Sequence, residues 1–390
     1  MKEIEVAQLK KMPKDSYVLV DIRDEGSVLY GIIPGAVHIA AKELEENPES
    51  ALENIEEDKM LVLYCQKGER SEETAEVVEE SGRSCYSLKG GYHAYLMSLF
   101  SENQEDNKEN AEKDEVSRQE KAERSIRKKF HKQIFAPFAK ACKTYQLIQE
   151  GDHIAVCISG GKDSMLMAKL FQEIKRHRQV DFELTFLVMD PGYSKENRML
   201  IEKNAEMLGI PITIFESTIF DTVDNVGKNP CYLCARMRRG YLYSKAKELG
   251  CNKIALGHHY DDVIETILMG MLHSGQFQTM MPKLHSTNFE GMELIRPMYL
   301  VREADICRWR DYNELHFLQC ACHFTETCST CHEDGTTSSK RLETKKLIAK
   351  LKETNPFVEN NIFKSAENVN LSTIIGYKKD GERHSFLDEY

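Results

Sequence analysis

A single tryptophan and ten prolines stand in 390 residues, and no apolar run approaches the roughly 18 residues that span a bilayer. No membrane partner is expected. The opening Met1-Lys2-Glu3-Ile4-Glu5 is charged and lacks the apolar stretch of a secretory signal, so no cleaved export signal is expected. Twelve cysteines are too thinly spread for a disulfide-stapled mini-domain. These absences point to the cytoplasm, where clustered cysteines more often bind metals or do chemistry. The Walker A pattern G-x-x-x-x-G-K-S/T is missing, which removes the P-loop NTPases. There is no internal repeat of fixed period.

What is present suits a soluble chain of two or three domains, at roughly 150 residues each. The net charge of −11 argues against nucleic acid until it is mapped. Residues 1–116 hold 27 acidic and 13 basic side chains, a net −14, whereas residues 117–390 hold 36 and 39, a net +3. The larger part is mildly basic. Residues 101–116 contain no aromatic residue and almost nothing apolar, the composition of a solvated linker.

Short β-rich runs at 17–22, 61–65 and 85–88, with a helical pattern at 72–80, predict a small α/β unit in the first hundred residues. From 150 onward the pattern alternates. Strands are expected at 154–159, 184–189, 212–216 and 253–257. Helices are expected at 163–177, 195–208, 234–249 and 262–272. Such alternation implies a parallel sheet covered by helices. A further helix is expected at 339–352. The domains read as 1–100, a charged linker 101–125, a nucleotide-binding unit 126–315 and a Cys-rich extension 316–390.

Cys65-Gln66-Lys67-Gly68-Glu69-Arg70-Ser71 follows one strand directly and precedes a helix. Backbone N–H groups of such a loop converge on an anion, and the same field favours a thiolate. A thiolate there can carry a terminal sulfur as a persulfide. These residues, with Asp21-Ile22-Arg23, Glu25 and Gly31-Ile32-Ile33-Pro34-Gly35-Ala36, resemble the rhodanese family over about the first hundred residues. Ile32 departs from the histidine frequent in that family. The resemblance implies that Cys65 carries sulfur and that Arg70 steadies the loop.

Ser159-Gly160-Gly161-Lys162-Asp163-Ser164 also sits between a strand and a helix. Adjacent glycines let backbone approach phosphate oxygens, and the helix N-terminus supplies donors. Ser159 and Ser164 add hydroxyls, Lys162 a point charge, and Asp163 a carboxylate able to hold Mg2+ between phosphates. The motif resembles the PP-loop ATP pyrophosphatases, an adenine nucleotide alpha hydrolase-like fold. That resemblance implies cleavage of ATP between the α and β phosphates. Asp190 ends the next strand, where an open parallel sheet presents ligand contacts. His258, Asp261 and Asp262 end another. Asp262 is either a helix cap or part of the reacting centre, and Glu265-Thr266 lie one turn on.

Cys231 and Cys234 have the C-x2-C spacing by which two thiolates bite one ion, and Cys320, Cys322, Cys328 and Cys331 lie downstream. Spacing alone leaves a Zn2+ site and an iron–sulfur cluster both open. Cys85, Cys142, Cys157, Cys251 and Cys307 read as core. SGGKDS, C-x-x-C, LGHHYDDVIETILMGML, MPKL and IRPMYLVREADI, in that order, resemble the tRNA 2-thiocytidine synthetases from about 130 to 320. That resemblance implies a [4Fe-4S] cluster on Cys231, Cys234 and Cys320, although the insertion around Cys322-His323 departs from the family pattern. It also implies a sulfurtransferase that adenylates the C2 oxygen of a cytidine, at position 32 of tRNA, and replaces that oxygen with sulfur. The expected partners are tRNA and an upstream sulfur donor such as a cysteine desulfurase or thiosulfate, with a homodimer left open. The tRNA surface is read as Arg118 to Lys132, Arg236, Arg238, Arg239, Lys340, Arg341, Lys345 and Lys346. A flexible linker would give Cys65 an r.m.s. reach of roughly 20–30 Å. Two rivals remain at this point: the same chemistry on uridine, and a zinc-binding or redox regulator that only binds nucleotide.

Overall fold

The computed structural model describes residues 2–29, 31–99, 117–217, 219, 230–318 and 340–388. The first unit is a five-stranded parallel sheet. Its spatial order is Glu3–Ile4, Cys85–Leu88, Met60–Tyr64, Tyr17–Asp21 and Val37–His38. Leu61, Val62, Leu63 and Tyr64 are all buried, because helices cover both faces of a parallel sheet and leave no solvent side to alternate toward.

The second unit is a six-stranded sheet in the order Lys283–His285, Glu293–Ile295, Lys253–Ala255, Asp152–Ile158, Phe182–Asp190 and Ile212–Glu216. Only Lys283–His285 runs antiparallel. Chain order reverses between Asp152–Ile158 and Lys253–Ala255, which are neighbours in the sheet. A crevice therefore opens beyond the carboxyl ends of these two strands, the usual ligand position in such sheets. Both candidate nucleotide segments, 159–164 and 256–262, leave the sheet there.

The expected elements are present with small shifts of their ends. The helix expected at 234–249 is Pro230–Glu248, opening on a proline suited to a first turn. The stretch read as linker ends earlier than expected. Arg118–Arg127 is a helix capped by Ser117, and its Ala122 and Ile126 are buried. Glu123 of this helix pairs with the buried Lys169 at 2.9 Å. Glu123 also holds Arg176 at 2.7 Å, while Arg127 lies 3.1 Å from Glu173. Part of the basic stretch proposed to meet tRNA is thus committed to packing.

The expectation of a swinging front unit is corrected. One apolar cluster runs from Val6, Leu88, Tyr92 and Leu96 of the first unit into Phe138, Phe171, Ile201 and Trp309 of the second. Glu25 is ion-paired with Lys346 across the same junction. Burial of a shared apolar face, at about 25 cal/mol per Å², holds the two units against the freedom their connection would allow. Among the described residues, no helix is long and apolar enough to cross a membrane.

Candidate functional site

Cys65 stands at the carboxyl end of Met60–Tyr64 and is 8% exposed. Gly68 N–H donates to its Sγ at 3.1 Å. Gly68 has φ +104 and starts the Glu69–Glu80 helix. A Cβ on Gly91 would stand 2.4 Å from the Cys65 carbonyl oxygen, so only glycine permits this close approach. The Gly91 segment also bonds the loop, with Tyr92 N–H donating to the Cys65 carbonyl and His93 N–H to that of Gln66. The result is a tightly held loop whose thiol accepts the Gly68 N–H.

Arg70 does not close this loop. It lies on the outward side of the Glu69–Glu80 helix, half-exposed, 3.5 Å from Glu45. Arg23 does that work instead. Its guanidinium is buried, donates to Asp21 at 2.6 Å, to the Gly31 carbonyl at 2.7 Å and to Gln66 Oε1 at 3.3 Å. It also stacks on the Tyr92 ring, 3.9 Å from its centroid. The signature Asp21-Ile22-Arg23 was visible in the sequence, but its connection to Gln66 was not.

In the second unit Gly160 has φ +86, and its carbonyl accepts a hydrogen bond from Leu318 N–H at 3.2 Å. Gly161 precedes the Lys162–Arg176 helix. Ser159 N–H donates to Ser164 Oγ at 3.2 Å, and Ser164 Oγ donates to the Gly161 carbonyl at 3.0 Å, which fixes the turn. Lys162 is buried, 3.1 Å from Asp163 and 3.3 Å from Glu303. Asp163 Oδ1 and His258 Nδ1 are buried with no hydrogen-bond partner among the described residues. Burial depresses the His258 imidazole to about 4, so it is neutral at pH 7. Glycines at the turn, a helix N-terminus, a buried lysine and unsatisfied polar atoms fit a polyphosphate.

The acidic residues divide into two groups. Asp190 is not available to a ligand as expected. Its Oδ1 accepts from the N–H groups of Gly192 and Tyr193, and its Oδ2 lies 3.2 Å from Arg198. It secures the turn after its strand. Asp261 caps the Glu303–Tyr312 helix through Glu303 N–H at 2.7 Å and pairs with Arg302 at 2.9 Å. Asp262 takes the first of the two roles the sequence left open, that of a helix cap. It forms a reciprocal cap with His259 and it meets Arg341 at 2.7 Å.

Glu303 escaped the sequence reading, and Glu265 and Cys307 were named there without the environment the structure gives them. Burial pushes the Glu265 carboxyl up to about 7, although Arg341 lies 3.5 Å away. Burial would also raise Glu303, but Lys162, His259 and Lys345 outweigh it and hold its carboxyl at about 2. Cys307, read as core, is only partly buried, and its thiol is raised by burial while Lys162 pulls the other way. The remaining expected core cysteines, Cys85, Cys142, Cys157 and Cys251, are free and buried. Arg341, Lys345 and Lys346, proposed for tRNA, are all ion-paired.

Cys231 and Cys234 occupy the first turn of the Pro230–Glu248 helix. Two turns on, Met237 packs against Met189 and Ile219, next to the end of the Phe182–Asp190 strand. This crossover helix therefore starts at the carboxyl edge of the sheet, the edge that carries the nucleotide loop. Cys320, Cys322, Cys328 and Cys331 lie outside the described residues. Among the described residues no group of His, Cys, Asp and Glu is arranged to hold a metal ion.

Residues 120–322 match the PP-loop domain family, and residues 5–98 the rhodanese-like domain family. The tRNA-cytidine(32) 2-sulfurtransferase of Acaryochloris marina is 34% identical over 251 residues, 63% of this chain and 84% of that one. Its counterpart in Syntrophotalea carbinolica is 34% identical over 233 residues, 59% of this chain and 86% of that one. The Neisseria meningitidis serogroup C enzyme of the same name is 37% identical over 198 residues, 49% of this chain and 61% of that one. A solved structure, the U34-tRNA thiolase NcsA from Methanococcus maripaludis with its [4Fe-4S] cluster, is 22% identical. Its TM-score is 0.47 over 60% of this chain and 76% of that one. The chain belongs to the PP-loop family, in the branch that holds the tRNA-cytidine(32) 2-sulfurtransferases, and carries a rhodanese-like domain ahead of it.

Proposed function

We propose that this chain thiolates C2 of a cytidine in tRNA, at position 32, using ATP for activation and Cys65 as sulfur carrier. The observation that carries the reading is the 159–164 turn, fixed by Ser159 and Ser164, with Lys162 buried beside it and Asp163 Oδ1 without a hydrogen-bond partner among the described residues. The relatives' shared name supports cytidine 32 as the target.

The chain's own groups divide the work. Ser159, Ser164, Lys162 and the N–H groups at the start of the Lys162–Arg176 helix bind the phosphates and orient Pα toward the base. Asp163 offers a carboxylate for Mg2+. The C2 oxygen attacks Pα, pyrophosphate leaves, and the oxygen becomes part of a good leaving group. In the front domain the Cys65 thiolate attacks the outer sulfur of a donor such as thiosulfate or a desulfurase persulfide. The donor's S–S bond breaks and the sulfur stays on Cys65. Cys231, Cys234 and Cys320 are the thiolates that would hold a [4Fe-4S] cluster, which would supply an iron site for sulfide. A thiol reductant supplies the two electrons that break the Cys65 persulfide bond and release its outer sulfur as sulfide, and sulfide replaces AMP at C2.

The deciding experiment is anaerobic thiolation of unmodified tRNA with ATP, thiosulfate labelled in its outer sulfur and a thiol reductant, read by nucleoside mass spectrometry. Expected is 2-thiocytidine with wild type and none with Cys231→Ala. A 2-thiouridine product moves the reading to uridine, and stoichiometric zinc with no thiolated nucleoside overturns it.

A further inference from the structure

The Lys340–Thr354 helix follows the cysteine-rich stretch and lies beyond the residues matched to the PP-loop family, which end at 322. Thr344 and Ile348 of this helix are buried, and Ile348 joins the cluster of Val263, Ile264, Ile267 and Phe363. That packing fixes the helix against Tyr260–Ser274, one wall of the nucleotide crevice. Arg341 and Lys345 stand four residues apart and so share a face. Arg341 Nη1 lies 2.7 Å from Asp262, and its Nε lies 3.5 Å from Glu265. Lys345 Nζ is 2.5 Å from Glu303 Oε2, while Lys162 of the phosphate loop is 3.3 Å from Oε1 of the same carboxylate. Lys345 and the loop lysine thus flank one carboxylate. His258 Nδ1, buried with no hydrogen-bond partner among the described residues, lies in the field of Asp262 and Arg341.

We infer that Arg341 and Lys345 are phosphate-binding groups of the nucleotide site, supplied by the C-terminal extension and aimed by Asp262, Glu265 and Glu303 at the β and γ phosphates. The inference rests on the reading that ATP is cleaved between Pα and the β phosphate. When the C2 oxygen bonds to Pα, the bond from Pα to the bridging oxygen breaks. Its electron pair departs on pyrophosphate, which gains one negative charge. One buried lysine is a thin counterweight to that charge. A guanidinium with five donors and a second ammonium, both held in place beforehand, stabilise the charge as it develops. The adjacent Lys346 pairs with Glu25 of the rhodanese-like domain, so the helix that carries these cations is also held by the sulfur-carrying unit.

The test uses the full chain, anaerobically prepared, as wild type, Arg341→Ala, Arg341→Lys, Lys345→Ala and, as control, the exposed Lys350→Ala on the same helix. Two quantities are read: tRNA-dependent pyrophosphate release, separated into kcat and KM for ATP, and the Kd of α,β-methylene-ATP without tRNA. Expected is a fall of about tenfold or more in kcat for Arg341→Ala, partly restored by added guanidinium ion or by Arg341→Lys. Nucleotide Kd rises for Lys345→Ala, and Lys350→Ala behaves as wild type. Unchanged nucleotide Kd and pyrophosphate release, with only tRNA affinity weakened, overturns the inference and returns these residues to an RNA surface. Should wild type form ADP instead of pyrophosphate, the thiolation reading falls, and the analogue Kd still decides whether the two cations hold phosphate.

Discussion

Leu318 donates its backbone N–H to the carbonyl of Gly160, so the chain leaving the described PP-loop unit departs from the turn that cradles phosphate. The two segments lie close, with Leu318 Cβ 3.6 Å from where a Cβ on Gly160 would lie. The chain that runs on toward the proposed ligand Cys320 therefore starts from this turn, a link that the proposed coupling of ATP cleavage to sulfur transfer would use.

That tie predicts an uncoupled enzyme. Inserting two glycines between Leu318 and Gln319 leaves the loop and its bond to Leu318 in place and lengthens only the chain that leads to the proposed ligand Cys320. Pyrophosphate release should survive within about twofold while 2-thiocytidine falls to background. Equal loss of both, measured on the same preparation, would mean that the segment only supports the fold.

Gly160→Ala should fail locally. The residue has φ +86, and an added Cβ would meet Ile201 Cγ1 at 2.6 Å. The left-handed backbone alone costs about 1–2 kcal/mol. Urea unfolding should show at least that loss, with weaker nucleotide binding. The double variant Gly160→Ala with Ile201→Ala should relieve the clash and not the backbone strain, so nucleotide binding should stay weak.

Arg23 and Arg70 should separate cleanly. Removing Arg23 takes the charge partner from the fully buried Asp21 carboxylate, which keeps only the Tyr64 hydroxyl and a backbone N–H as donors, and is expected to cost about 3–5 kcal/mol. Arg70 pairs with Glu45 at the surface, where such bridges contribute about 0–1 kcal/mol. Denaturation of Arg23→Ala and Arg70→Ala, followed by labelling of the Cys65 persulfide, checks this. Only the first should lose both stability and sulfur loading.

Glu265 gives a pH signature. Burial raises its carboxyl to about 7 in the folded chain, above the ordinary value near 4.3. A raised acid favours the fold while protonated. Its contribution is complete below about pH 4.3 and is lost as the pH climbs through about 7. Glu265→Gln should therefore remove a decline in stability between those limits, read as the difference between wild-type and variant urea midpoints from pH 4.5 to 8. A flat difference would show that the group titrates normally.

The alternation from 152 to 274 was readable because buried strands and amphipathic helices differ in period over several residues. Glu3–Ile4, Val37–His38, Lys283–His285 and Glu293–Ile295 were not, since two or three residues are too few to show a period. The start of Pro230–Glu248 had a signal in Pro230 that was read only as stiffening. Within the site, Cys65 and the 159–164 turn were legible because each is one continuous segment whose function follows from local backbone geometry. Arg341 and Lys345 looked like RNA contacts because a basic helix has the same sequence whether it meets phosphate in RNA or carboxylates 42 to 79 residues away. The docking of the front domain through Tyr92 and Leu96 rests on long-range packing, which leaves no mark on either segment alone.

The apolar cluster shared by the two units has a consequence for synthesis. Residues 1–100 emerge from the ribosome before the surface that covers Tyr92 and Leu96 exists, so the nascent chain passes through an interval with a greasy, unfinished flank. The surplus of acidic side chains concentrated in the same stretch supplies mutual repulsion during that interval, keeping neighbouring nascent chains apart until the second half arrives to close the seam.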